Sequence, residues 1–124
     1  MRKPKMYKSP IGTKKWWLNG KLHREDGPAI EYANGNKAWW LNGKLHREDG
    51  PAREDVDGYK AWYLNDKLHR EDGPAVEYTN GSKYWWVDGI MCSEKSYSKA
   101  LKRYYKYLYK LGKITKEELF IKLI

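Results

Sequence analysis

In the stretch AIEYANGNKAWW, residues 29–40, β-prone side chains flank Asn34-Gly35, a pair that signals a tight hairpin turn. Asp57-Gly58 and Asn80-Gly81 recur in the same place. A two-residue turn sets Tyr32 opposite Lys37 and Ile30 opposite Trp39. The following copies then pair Asp55 with Lys60, Arg53 with Trp62, Tyr78 with Lys83 and Val76 with Trp85. Each pair is apolar, charge-complementary or a cation over a ring. Side chains alternate along a strand, so adjacent Trp39 and Trp40 point to opposite faces, and a sheet with rings on both faces needs cover on at least one.

The hairpin belongs to a longer unit. WWLNGKLHREDGPA begins at Trp16 and at Trp39, and it returns at Trp62 with Tyr63 and Asp66 replacing Trp and Gly. His23, His46 and His69 are 23 residues apart, as are Gly12, Gly35, Gly58 and Gly81. A fourth, degenerate copy carries Met91 and Cys92 in the Leu and His places. Such a period predicts stacked units that bury apolar surface only against one another. LNGKLHRED has two readings: a second tight hairpin around Asn42-Gly43, with Glu48-Asp49-Gly50-Pro51 reversing the chain, or one longer connection to the next strand. The longer connection is favoured, because it stacks copies by translation, two strands each, at about 9.5 Å per copy.

After Cys92 the pattern turns helical. Tyr97, Leu101, Tyr104, Leu108 and Leu111 form one apolar stripe, with Ser93 as the expected N-cap and Gly112 as the stop. Such a helix spans about 27 Å, enough to lie over much of the sheet or to cap its open edge. Thr115 and Glu118 predict a capping box for a second, shorter helix. The fold class is therefore mainly β with C-terminal α: an elongated antiparallel sheet of about eight strands in stacked hairpins, then one long and one short helix. Residues 1–6 read as a basic arm, 7–92 as the array and 93–124 as a basic helical appendage.

Composition adds three constraints. With 7 Trp and 11 Tyr but few aliphatic residues, burial is expected mainly from aromatic rings. A single cysteine excludes an internal disulfide and fits a reducing compartment, and no apolar run approaches the ~20 residues of a membrane span, so a cytoplasmic protein is expected. The net charge of +9 is uneven: residues 1–15 carry +6, residues 16–92 carry −3 and residues 93–124 carry +6. Anion binding is therefore to be sought at the two ends.

The spacing Trp17, Gly20, His23, repeated as Trp40, Gly43, His46, together with the 23-residue period, resembles the MORN repeat over residues 7 to 92. That resemblance implies stacked hairpins in an elongated, twisted sheet. The unit departs from MORN after the histidine, reading Arg-Glu-Asp-Gly-Pro-Ala. LHREDGPA is itself similar to repeats in bacteriophage and large DNA virus proteins, which implies a virus-encoded protein in a host cytoplasm and no particular activity.

The His-Arg-Glu-Asp tracts hold the residue types of an acid-base site. Three identical copies at fixed intervals do not form the single asymmetric constellation that catalysis needs, and imidazoles about 9.5 Å apart do not share a metal. His23, His46 and His69, with Asp26, Asp49 and Asp72, are therefore expected to serve a repeated loop, and Gly35, Gly58 and Gly81 the turns. An enzyme would require one tract to differ structurally from the others. No enzyme activity, metal or cofactor is expected.

The expected role is a non-enzymatic interaction protein that binds a host macromolecule, most simply a protein, as an inhibitor of a defence or regulatory complex would. Trp17, Trp40, Tyr63 and Trp86 are the candidate anchors on the sheet. The same face is also available for homodimerisation. Basic and aromatic residues interleave in LKRYYKYLYKLGK, a footprint of nucleic-acid binding, so Lys102, Arg103, Lys106 and the off-stripe Tyr105 and Tyr109 support nucleic acid as the alternative partner.

Overall fold

A computed structural model describes residues 2–124. Its strands are β1 (Lys5–Lys8), β2 (Lys14–Leu18), β3 (Lys21–Leu22), β4 (Ile30–Glu31), β5 (Lys37–Ala38), β6 (Trp40–Leu41), β7 (Lys44–Leu45), β8 (Arg53–Glu54), β9 (Lys60–Ala61), β10 (Tyr63–Leu64), β11 (Lys67–Leu68), β12 (Val76–Glu77), β13 (Lys83–Val87) and β14 (Ile90–Cys92). Two helices follow, α1 (Tyr97–Lys110) and α2 (Lys116–Leu123). The main antiparallel sheet has ten strands in the order β1-β2-β4-β5-β8-β9-β12-β13-β14, with β3 paired to β2. Residues 5 and 6 thus enter the sheet as part of its edge strand.

Each copy makes two hairpins, and these stack in two rows. The first row is β1, β2, β4, β5, β8, β9, β12 and β13, two strands per copy. The second row holds β2-β3, β6-β7, β10-β11 and β13-β14. LNGKL is therefore a tight hairpin, and HREDGP reverses the chain after it, in place of the single longer connection favoured from sequence. Trp39 joins the rows: its N–H donates to Ala52 C=O in the first row, and its C=O accepts from His46 N–H in the second. Trp16 and Trp62 do the same between Ala29 and His23 and between Ala75 and His69. Stacking by translation survives because the reversal returns each chain to the first row.

The register of the first row differs by one residue from expectation. Ile30 lies opposite Ala38 and Glu31 opposite Lys37, with Tyr32 N–H donating to Asn36 C=O, so the loop is three residues, Ala33-Asn34-Gly35. Val76 likewise faces Tyr84, and Arg53 faces Ala61. The cause is local. Asn34 Oδ1 accepts from Asn36 N–H at 3.0 Å, and only Gly35 takes a positive φ, of 95°. That is the geometry of a turn closed by a glycine bulge. The two-residue turn occurs instead at Asn42-Gly43, where both residues have positive φ, 49° and 78°. The register replaces Tyr32, Asp55 and Tyr78 as partners of the lysines by Glu31, Glu54 and Glu77, giving Glu31–Lys37, Glu54–Lys60 and Glu77–Lys83.

The core consists mainly of small side chains. Ala29, Ala52, Ala61 and Ala75 have no exposed surface, and Ile30, Ala38, Val76 and Val87 are buried beside them. The tryptophans are only half-buried, contrary to the expectation that rings would supply most of the burial. They act as platforms. The guanidinium of Arg47 lies 3.8 Å from the centre of a Trp39 ring, as Arg24 does over Trp16 and Arg70 over Trp62. Gly50 closes the other side, since a Cβ there would stand 2.8 Å from Arg47 Cζ. Gly50→Ala is therefore expected to push the guanidinium off its ring and cost about 1–2 kcal/mol, read from the urea midpoint.

The helices pack on the C-terminal end of the array. α1 has 14 residues, about 21 Å, and packs on β13 and on α2. It is shorter than expected because Ser93 does not cap it: Ser93 Oγ accepts from Ser96 N–H in a preceding turn, and Ser96 occupies the N-cap position. α2 begins with the expected capping box, Thr115 Oγ1 accepting from Glu118 N–H and Glu118 Oε1 from Thr115 N–H.

Candidate interaction surface

The His-Arg-Glu-Asp tracts are consumed by structure. His23 Nδ1 accepts from Asn42 N–H at 2.9 Å, His46 Nδ1 from Asn65 N–H at 3.0 Å and His69 Nδ1 from Asp88 N–H at 2.8 Å, so each histidine clamps the next copy's turn. An Nδ1 that accepts leaves the ring proton on Nε2, which faces Glu25, Glu48 or Glu71 at 3.5, 3.7 and 3.2 Å. Each arginine is held as well. Arg47 Nε donates to Asp49, and its Nη1 donates to Pro51 C=O and Glu54. Arg24 and Arg70 repeat these bonds through Asp26 and Asp72. These side chains tie each reversal loop to the strand that follows it.

The third tract differs, and the cause is the appendage. Tyr105 donates to Glu71 Oε1 at 2.8 Å, Lys122 Nζ lies 3.7 Å from the same oxygen, and the Tyr104 ring sits 4.6 Å from that of His69. The Tyr97 hydroxyl donates to Arg70 C=O and accepts from Gly73 N–H. Tyr105 is therefore not an open contact residue as expected from its place off the stripe; the residue is 7% exposed because the helix turns its side chain toward Glu71. The hydrogen bond from His69, with help from Tyr105 and Lys122, outweighs burial and draws the Glu71 carboxyl down to about 2. Burial, then the Glu71 carboxylate, raises the Tyr105 hydroxyl.

A carboxylate depressed in the folded state and ordinary in the unfolded chain, near ~4.3, stabilises fully above that value and loses its contribution as pH falls toward 2. Glu71→Gln is accordingly expected to melt below the wild type at pH 7, with the gap narrowing between about pH 4.5 and 2. A gap that stays constant across that range would count against the carboxylate's role in docking the helices.

Trp17, Trp40, Tyr63 and Trp86 occupy equivalent places in the second row, all half-buried, so none is a fully open ring. The carbonyls of Trp40, Tyr63 and Trp86 accept from the backbone N–H of Arg24, Arg47 and Arg70, and Trp40 Nε1 is buried without a partner. Lys102, Lys106 and Tyr109 are exposed and share one face of α1. Arg103 continues a neighbouring stripe with Lys99 and Tyr107, and Lys106 lies between the two.

That second stripe borders a groove of about 450 Å³ between α1 and the β13-β14 hairpin. Val87, Ile90, Met91 and Cys92 line it from the hairpin; Ala100, Tyr104 and Tyr107 line it from the helix. Ile90 is 72%, Met91 56% and Tyr107 51% exposed. Lys99 and Arg103 stand on the rim and pair with no carboxylate among the described residues; Asp88, the acid there, lies 3.7 Å from Lys67. Burial raises the Cys92 thiol, which disfavours a reactive thiolate there. Sequence reasoning missed this groove, though a signal was present: Ile90 stands where the other copies carry Lys21, Lys44 and Lys67.

Among the described residues, no helix is long and apolar enough to cross a membrane, and no cluster of three or more His, Cys, Asp or Glu has the arrangement to hold a metal ion. No protein-family model matches the chain, and no curated protein matches it significantly in sequence.

Proposed function

We propose that this chain is a non-enzymatic interaction protein whose partner is another protein, bound through the C-terminal end of the array. One observation carries the reading. The polar side chains that resembled chemistry are engaged in holding copies together, while Ile90, Met91 and Tyr107 stand exposed beside the unpaired Lys99 and Arg103. Exposed apolar side chains rimmed by charge are what an interface offers. The likeness of LHREDGPA to viral repeats extends the proposal to a virus-encoded protein and a host target.

Nucleic acid is the second reading, favoured by the exposed face of Lys102, Lys106 and Tyr109. Affinity capture from a host extract, with and without nuclease, distinguishes them. Retention of a protein after nuclease treatment, with weak dependence on salt, is the expected result. Loss of all bound material with nuclease, or binding that weakens steeply with added salt, would replace it with the second reading.

A further inference from the structure

Within the array, no second-row hairpin except the last has a free edge. Leu22 C=O accepts from Gly43 N–H, Leu45 C=O from Asp66 N–H and Leu68 C=O from Gly89 N–H. The equivalent residue of the fourth copy is Met91, on the outer edge of β14. Val87 and Ile90 flank the two-residue Asp88-Gly89 turn and form its hydrogen-bonded pair, so the next pair, Trp86 and Met91, is of the other kind. The N–H and C=O of Met91 therefore point away from β13, toward the place where a fifth copy would stack. No backbone or side-chain group of the described residues bonds them there.

The side chains around that edge have changed with it. Cys92 replaces the clamping histidine, so a following turn finds no imidazole acceptor, and Ile90 replaces a lysine that is exposed in every other copy. The edge is thus adapted to something other than another copy. α1 stands across the groove and contributes Ala100, Tyr104 and Tyr107 as apolar wall, with Lys99 and Arg103 above. Asp88 is offset by Lys67, so the rim is positive.

Deepening the reading above, and resting on it, we propose that this groove takes an extended peptide segment of the partner, with apolar side chains flanked by aspartate or glutamate. The segment adds a strand to β14 through the Met91 backbone. Its apolar side chains lie against Ile90, Met91 and Tyr107, and its carboxylates meet Lys99 and Arg103. Strand addition supplies affinity through main-chain bonds, and the pocket and the charges select the sequence. Charge complementarity distinguishes this occupant from a second copy of the chain, whose own ends are both basic.

A display library of random peptides about twelve residues long, enough for one strand and its flanks, is panned on the full chain. Peptides with alternating apolar residues and flanking acids are expected to be enriched. Synthetic versions, measured by fluorescence anisotropy, should bind Lys99→Glu/Arg103→Glu and Met91→Pro at least about tenfold more weakly than wild type. Lys102→Glu/Tyr109→Ala, on the side of α1 turned away from the groove, should bind them as wild type does. The charge variants keep the test valid if Met91→Pro fails to fold, since they alter only exposed positions. Enrichment of nothing, enrichment of basic peptides, or displacement by a single-stranded oligonucleotide would overturn the proposal. Acidic peptides that bind the groove variants undiminished would also overturn it, while leaving protein binding by another surface intact. Protein binding itself is judged by nuclease-treated capture.

Discussion

Arg47→Ala is expected to cost the array about 3 kcal/mol. One guanidinium stacks on Trp39, donates to Asp49 and Glu54 and satisfies the carbonyl of Pro51, so truncation removes a cation–ring contact and leaves the half-buried Glu54 and the Pro51 carbonyl without their donor, while the exposed Asp49 turns to water. Arg47→Lys should recover little of this, because an ammonium cannot fork to three acceptors while lying flat on a ring. Urea denaturation followed by tryptophan fluorescence measures the loss. Arg24→Ala removes the same contacts from the first copy, where the neighbours extend mainly to one side, and should fray that end before the whole array melts. A loss below about 1 kcal/mol at Arg47 would mean that the stacked arginine is incidental to the fold.

The second large effect is expected at the helical cap. Among the described residues Tyr105 is the largest buried side chain, and Tyr105→Ala should cost about 3–5 kcal/mol by opening a cavity between α1 and the third copy. Tyr105→Phe keeps the ring and removes the bond to Glu71, so about 1–2 kcal/mol is expected. Limited trypsin digestion separates local from global effects. Cleavage within residues 93–124 should accelerate in Tyr105→Ala well before cleavage in the array. Equal protection of α1 in both variants would show that other contacts, such as the Tyr97 hydroxyl on Arg70, carry the docking.

The period of the array, the stacked antiparallel hairpins and the two helices were legible in the sequence because each has a local signature. The capping box needs only Thr115 and Glu118, and the turns need only their Asn-Gly or Asp-Gly pairs. Register was not legible. Asn34-Gly35 and Asn42-Gly43 read alike, yet the first belongs to a three-residue loop and the second to a two-residue one; the side chain of Asn34 bonding to Asn36 N–H makes part of that difference. The histidines' task was hidden for a related reason: the partner of His46 is a backbone N–H 19 residues later, and nothing in that residue's identity announces it. Tyr105 was misplaced because a stripe four and three apart describes one line on a helix, whereas α1 is clasped on two sides, by β13 and by the third tract. The groove lay in the contrast between copies, lysine in three and isoleucine in the last, more than in any motif.

The bonds between neighbouring copies are much the same at each junction, from Gly43 on Leu22 to Gly89 on Leu68. Excising the 23 residues from Trp39 to Ala61 would rejoin equivalent partners and leave both termini untouched. The array is in this sense a ruler graduated in steps of about 9.5 Å, and a gene that gained or lost units by recombination would reset the distance between the basic strand at one end and the helical cap at the other without redesigning either.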